Sequence, residues 1–439
     1  MSKMLLKGAR IVDPSQGLDK ISDLLIEEGK VVAIRESIDG DGLKAGKNHK
    51  TKNNEIKVLE LHEKIVVPGL IDMHTHLREP GFEYKETIAT GSEAAAAGGF
   101  TSIACMPNTD PVNDNRSVTE FILMQARTCG LIRVWPVAAI SKASEGRILA
   151  ELGDLRDAGA VAYSDDGKPV ADSRLMRKAM EYAASLGVPV ISHCEDSTLS
   201  KGGMMNESFV STELGLAGIP NAAEEVMVAR DIILAEYTGL PVHIAHVSTT
   251  GSVRMIRDAK RRGVKVTAET APHYFTLTDE AIRSYDTHAK VNPPLRSAAD
   301  VDAVRNGLKD GTVDVIASDH APQASRDKKV EFAYAANGMV GLETSLGLSL
   351  RLVKENILSL PDLVGKMSGN PASLLKIPGG TLKIGSVADI TIIDPLLEWE
   401  VDVKKLRSKS RNTPFEGWKL IGKAVYTIVG GEVKFQNEG

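Results

Sequence analysis

The chain has 439 residues, 42% of them hydrophobic and 25% charged, with a formal net charge of −5. This is an ordinary composition for a globular protein with a large core, and its mild acidity gives no reason to expect nucleic acid or an anionic membrane as partner. Cys105, Cys129 and Cys194 form no CxxC motif and cannot all pair, no signal-peptide pattern opens the chain, and no apolar run could span a bilayer, so a cytoplasmic protein with reduced thiols is expected.

From Met4 to Ile38 the chain reads as short strands punctuated by Asp13-Pro14 and Glu28-Gly29. Asp39–Lys57 is rich in Gly, Lys and Asn and reads as an exposed loop. From Ile65 a rhythm sets in. β-type runs at Val66–His74, Phe100–Met106, Ile132–Ala138, Ala160–Ser164, Val188–His193, Val242–Val247, Val264–Glu269 and Val313–Ser318 alternate with helical stretches such as Lys85–Ala97, Ser117–Thr128, Ala222–Tyr237 and Gly251–Arg262. The runs are nearly all apolar, as suits parallel strands covered on both faces. An open doubly wound sheet would show the same alternation. The polar residues favour closure, because they fall at the C-terminal ends of many strands and only a barrel brings those ends to one mouth. The fold expected is α/β: a (β/α)8 TIM-like barrel over 67–379. After Gly380 the β pattern returns, so residues 1–66 and 380–439 are expected to form a small β-sandwich domain from both chain ends.

The strand ends carry the chemistry. The first ends in Asp72-Met-His-Thr-His-Leu-Arg78, where residues two apart share a strand face and His74 and His76 can reach one metal ion. The fourth ends in Ser164-Asp-Asp-Gly167, the fifth in His193-Cys-Glu195, the sixth in His246-Val-Ser248 and the eighth in Ser318-Asp-His-Ala-Pro322. Neutral imidazoles with carboxylates suit Zn²⁺ or another borderline ion. Two ions sharing a carboxylate would acidify water to a pKa of about 7 and polarise a carbonyl, which is the chemistry of amide hydrolysis. Asp319 is the candidate to collect the water's proton and pass it to the leaving nitrogen. Arg78 can grip a carboxylate bidentately. Asn108 and Asn292 lie on turns and could serve either the turn or a ligand, and the Gly/Ala-rich Phe332–Gly341 could supply backbone contacts or a lid. His243, an odd number of residues before His246, should face the other way and be structural. His49, His62 and His288 fall outside the strand-end pattern, and His273 lies near the mouth without being needed as a ligand.

These motifs, with Met106-Pro-Asn-Thr109, Asn292-Pro-Pro294, Gly338–Glu343 and the tail Asn370-Pro-Ala … Gly385-Ser-Val-Ala-Asp-Ile390, resemble the amidohydrolase superfamily and, within it, the bacterial type I dihydroorotases, over nearly the whole chain. The resemblance implies reversible interconversion of L-dihydroorotate and N-carbamoyl-L-aspartate, in pyrimidine synthesis. It implies two Zn²⁺ per chain: His74, His76 and Asp319 on one, His193 and His246 on the other, and Asp166 as the bridge. The residues alone do not separate Asp165 from Asp166. It implies substrate contacts from His76, Arg78, Asn108 and Asn292, with backbone help near Asn337 and Gly338. A homodimer and a complex with aspartate carbamoyltransferase are both partners the family admits. Hydantoinases, dihydropyrimidinases and allantoinases resemble the chain in fold but use a carboxylated lysine as bridge, where this strand end has Asp. The family's second histidine after Asp-His-Ala-Pro, a contact to the substrate carboxylate, is here Gln323. Its amide can still donate a hydrogen bond, so weaker substrate binding with intact chemistry is expected. A scaffold-only role would show lost ligands, and every ligand position is filled.

Overall fold

The computed structural model describes residues 3–38 and 56–437. The expected loop at Asp39–Lys57 falls almost wholly outside the described residues, as does His49. Five strands open the chain: β1 (Lys3–Asp13), β2 (Leu18–Glu27), β3 (Lys30–Arg35), β4 (Ile56–Glu60) and β5 (Ile65–Pro68). The apolar run expected as one strand from Val66 to His74 divides at Gly69, and β6 (Leu70–Thr75) continues in a different sheet. A side chain at residue 69 would collide with Thr101, so only glycine lets the chain pass from one sheet to the other here.

The barrel strands are β6, β7 (Phe100–Cys105), β8 (Arg133–Ala138), β9 (Ala162–Tyr163) and β10 (Ile191–Ser192), continuing, after a short parallel pair β11 (Met205–Asn206) and β12 (Gly218–Ile219), with β13 (Val242–Ile244), β14 (Val266–Thr270) and β15 (Val315–Ile316). They pair in parallel as β6-β7-β8-β9 and β10-β13-β14-β15. Two bridges join these halves, Tyr163 with Val190 and Thr75 with His320. At the seams Tyr163 N donates to Pro189 O at 3.0 Å and His76 N to His320 O at 2.9 Å. The eight strands therefore close on themselves, and the second seam runs through the motif at the first strand end. Ile71, Met73, Ala104, Val137, Ala162, Ile191, Ala245 and Val315 fill the interior as a packed core, with Leu375 and Ile377 packed against it.

The outer helices follow local signals. Arg116–Cys129 begins where the Asn115 side chain accepts from Val118 N and ends at Gly130, whose φ is 60°. The helix expected from Lys85 starts only at Ile88, because Thr87 caps it. Lys85 and Glu86 thus stay in the loop at the barrel mouth. After the barrel, β16 (Ile390–Glu400), β17 (Lys419–Val429) and β18 (Glu432–Gln436) return to the first sheet, in the order β18-β17-β16-β5-β1-β2-β3 with β4 beside β1. This sheet of chain-end strands is one connected sheet carrying its own core of Leu6, Ile11, Leu24, Ile26, Val66, Ile390, Ile392 and Ile428. The expected strand at Leu382–Ile384 is instead irregular, because Leu382 N turns to cap Asp13 Oδ2 at 2.7 Å.

Two buried lysines stitch the loops over the mouth. Lys328 Nζ donates to Thr287 O at 2.9 Å and Lys290 O at 3.1 Å, and Lys290 Nζ to Phe332 O at 2.8 Å and Ala333 O at 3.0 Å. Burial pushes Lys328 down to about 7. The unfolded chain then holds this proton up to about pH 10 while the folded chain gives it up, so stability should rise with pH between about 7 and 10. Urea unfolding at pH 7, 8 and 9 is expected to show this slope in the native chain and a flatter one, by up to about 1.4 kcal/mol per pH unit, in Lys328→Met. Equal slopes would exclude it.

Candidate metal centre and active site

Asp166 lies at the centre of the barrel mouth. Its Oδ2 is 3.4 Å from His74 Nε2 and 3.5 Å from His76 Nε2, while its Oδ1 is 3.4 Å from His193 Nδ1 and 3.3 Å from His246 Nε2. One carboxylate thus turns one oxygen to each histidine pair. Asp319 Oδ1 closes the first side, 3.3 Å from His76 Nε2 and 3.7 Å from His74 Nε2. Asp165 points elsewhere: it accepts from Ser141 N at 3.0 Å and from the Ser141 hydroxyl.

The backbone bends to make this possible. Met73 lies in the barrel core, yet His74, one residue on, reaches the mouth cluster. A register irregularity between Asp72 and Thr75, where β6 meets β7, breaks the strand's alternation. Arg78, His246 and Asp319 have φ of 63°, 33° and 47°. Non-glycine residues hold such angles at a cost of order 1–3 kcal/mol each, and do so where the surroundings fix them. The bend at His246 also corrects the expectation for His243. That residue faces the barrel interior too, with its Nε2 3.4 Å from Glu269 Oε2, because the strand ends at Ile244 and alternation no longer applies between them.

Each of three ring nitrogens opposite the cluster has an oxygen partner. His74 Nδ1 is 2.5 Å from Glu269 Oε1, His76 Nδ1 is 2.8 Å from Asn108 Oδ1, and His193 Nε2 is 3.0 Å from Glu195 Oε2. Such partners fix the tautomer and the ring plane of an imidazole ligand. Glu195 in turn accepts from Asn292 Nδ2 at 2.8 Å. Burial opposes charge throughout, but Asp166 and Glu269 outweigh it at His74, held well above the usual histidine range, and Asp166 and Glu195 raise His193 to about 10. Asp166 itself, despite burial, is held well below the carboxylate range by His74 and its other imidazole neighbours. Asp319 is likewise drawn down to about 2 by His76 and His74. The pocket is therefore a trap for positive charge. His74 Nε2 and Asp166 Oδ1 are buried without a hydrogen-bond partner of standard geometry, and the sets His74/His76/Asp319 and His74/Asp166/His246 converge closely enough to share an ion. Orphaned donors of this kind, all of imidazole and carboxylate type, fit divalent ions of the zinc class.

The remaining expected residues line the rim. Arg78 is half-buried, its Nε donates to Pro322 O at 3.1 Å, and no carboxylate of the described residues pairs with it. Burial lowers it to about 10, so it stays a cation at neutral pH. Asn108 and Asn292 turn their amides to His76 and Glu195, as given above. Gln323 has both amide atoms engaged: Oε1 accepts from Lys85 Nζ at 2.7 Å and Nε2 donates to Asn337 O at 2.6 Å. Gly338, at φ 120°, packs where any side chain would strike Ala321 O. The Phe332–Gly341 stretch is strapped down, with Gly338 N donating to Lys290 O at 3.0 Å. His62 is exposed beside Glu60, His288 pairs with Asp286, and His273 is buried against Tyr274.

Sequence reasoning missed Glu269, Glu195 as a partner of His193, and Asn412. Glu269 ends the seventh run, where the other strand ends place their candidate ligands, so its position was a usable signal. Asn412 had none. It lies in the segment between β16 and β17, yet its Nδ2 donates to Gly338 O at 3.0 Å and Ala321 O at 3.3 Å, and its Oδ1 accepts from Gln323 N at 3.0 Å.

A profile described as Dihydro-orotase-like matches residues 63–252. A protein named Dihydroorotase from Syntrophus aciditrophicus is 60% identical over 436 residues, covering 99% of this chain and all of the relative. Another of that name, from Geobacter sulfurreducens, is 59% identical and covers 98% of each. Among solved structures, an L-hydantoinase from Arthrobacter aurescens superposes with a TM-score of 0.85 at 26% identity, covering 99% of this chain and 96% of its own. A dihydropyrimidinase from Brevibacillus agri does so with a TM-score of 0.85 at 25% identity, covering 99% and 95%. These structures share the barrel, and among the described residues no helix is long and apolar enough to cross a membrane. With full-length relatives at this identity and a mouth built of converging imidazoles and carboxylates, the chain belongs to the dihydroorotase family of cyclic amide hydrolases.

Proposed function

We propose that this chain opens and closes the ring of L-dihydroorotate, with N-carbamoyl-L-aspartate as the other partner of the equilibrium, using two zinc ions. The observation that carries this reading is Asp166, which offers one oxygen to each of two histidine pairs. His74, His76 and Asp319 would hold one ion, His193 and His246 the other, and Asp166 both. When bound, the ions supply a polarised ring carbonyl and a water acidified to near neutrality. The chain's own residues do the rest. Asp319, ionised at neutral pH, takes the water's proton and returns it to the ring nitrogen that leaves. Arg78 holds the carboxylate of the substrate and so fixes which face of the ring meets the ions. Asn108 and Glu269 keep His76 and His74 in ligating tautomers. Asn292, with the backbone at Asn337 and Gly338, completes the rim on the substrate side. An aspartate at the bridging place, rather than the carboxylated lysine of hydantoinases, supports this reading over a hydantoinase one.

The test is zinc-supplemented turnover of dihydroorotate beside hydantoin and allantoin, on protein whose metal is counted. Turnover of dihydroorotate with about two ions per chain is expected. Preference for hydantoin, or a metal-loaded chain inert toward dihydroorotate, would overturn the proposal.

A further inference from the structure

Beneath the candidate metal centre lies a further buried imidazole, His243, that the proposed chemistry leaves unused. His243 is 2% exposed, and it borders a cavity of about 430 Å³ at the opposite end of the barrel, whose walls include Met73, Val190, Val242 and Val266. Its Nδ1 is 2.8 Å from Thr267 Oγ1 and its Nε2 is 3.4 Å from Glu269 Oε2. The other oxygen of Glu269 is the one that holds His74 Nδ1. His243 Nε2 and Glu269 Oε2 are both buried and have no hydrogen bond of standard geometry among the described residues, and they face each other within ion-pair distance.

One proton inventory of this row satisfies each contact and leaves His74 able to ligate. An ionised carboxylate can only accept, so a proton must lie on the His243 nitrogen facing Glu269. His243 Nδ1 then accepts from the Thr267 hydroxyl. On the far side Glu269 accepts from His74 Nδ1, so that a bound ion would take the place of the proton that the metal-free chain holds on His74 Nε2, which faces Asp166 and Asp319. The row Thr267–His243–Glu269–His74 thus runs from the barrel floor to the candidate ion site.

We propose that His243 is a positioning residue for the metal centre: by holding the second oxygen of Glu269, it keeps that carboxylate locked on His74 and His74 in its ligating tautomer. This rests on the two-ion reading given above. Without His243 the carboxylate has one free oxygen in an apolar pocket, can rotate, and no longer fixes the imidazole. Loss of such an outer partner of a metal-bound histidine costs roughly 10- to 100-fold in metal affinity.

The test is zinc affinity, measured by chelator competition on the full chain with no substrate present. His243→Leu is expected to bind its weaker zinc roughly tenfold less tightly, and His243→Gln, which keeps an N–H near Glu269, to recover most of that loss. Thr267→Val, which keeps the volume and deletes the hydroxyl, should weaken binding in the same direction and covers the case in which His243→Leu does not fold. In the double variant with Glu269→Gln the losses should not add, because His243 acts through Glu269. Unchanged affinity in the variants, or fully additive losses, would overturn the proposal. If the native chain itself failed to bind two zinc ions, the two-ion reading would fall instead, so the two failures are distinguishable.

Discussion

Asp166→Asn is expected to reduce dihydroorotate turnover by roughly 10³-fold and to lower the zinc content from about two ions per chain to one or fewer. The substitution keeps the shape of the side chain and changes one oxygen to an amide nitrogen. Asp166 Oδ2 faces His74 and His76, and Oδ1 faces His193 and His246, so whichever way the amide turns, one pair loses its shared ligand and the negative charge between four imidazoles is gone. Asp165→Asn is the matched control. Its carboxylate serves Ser141, so metal content should hold while stability falls by about 1 kcal/mol, the scale of one hydrogen bond. Metal counting by atomic emission, run beside the activity assay, separates the two. A metal-replete and active Asp166→Asn would refute the bridging role.

Arg78→Met should reduce kcat/KM for dihydroorotate by roughly 10²- to 10³-fold, since truncating one partner of a desolvated charge pair costs about 2–5 kcal/mol. The expectation is this large because, among the described residues, position 323, where the resemblance implies a second cation, holds a neutral side chain. Gln323 is neutral, and its amide is held between Lys85 Nζ and Asn337 O. Gln323→His should therefore lower KM for dihydroorotate with little change in kcat, and an unchanged KM would show that position 323 lies outside substrate recognition. The loss in Arg78→Met should appear in the substrate that carries a carboxylate and vanish for any residual activity on unsubstituted hydantoin. Equal losses on both would mean that Arg78 supports the fold of the mouth, through its bond to Pro322 O, rather than the ligand.

The barrel was legible because its signal is local. Each strand is a short apolar run, and helices such as those at Ile88 and Arg116 begin at a capping residue, Thr87 or Asn115, that declares itself within a turn. The histidines and aspartates at the strand ends were legible for the same reason, and closure of the sheet then collects them whatever the intervening chain does. What misled was the use of period two past the end of a strand. His243 was assigned to the wrong face because the chain leaves extended conformation at His246, where φ is 33°. His74 and Met73 both face inward although adjacent, because the ladder slips beside them. Such breaks are settled by what the neighbouring strand demands and leave no trace in the run itself.

The sequence by itself determined the alternation of strands and helices through the barrel, the residue types at the strand ends, and the family to which both belong. The tertiary structure alone decided which acid faces the histidines: Asp165 and Asp166 are chemically identical neighbours, and only Ser141, held on the preceding loop, draws one of them away. It also decided the partners of the candidate ligands. Glu269 meets His74, and Asn412 clamps Gly338 and Ala321, across separations in sequence that no local pattern spans. The physical reason is the range of the forces involved. Propensity, capping and alternation act over a few residues, whereas a buried carboxylate or amide takes whichever unsatisfied donor or acceptor the packed barrel brings within 3 Å or so.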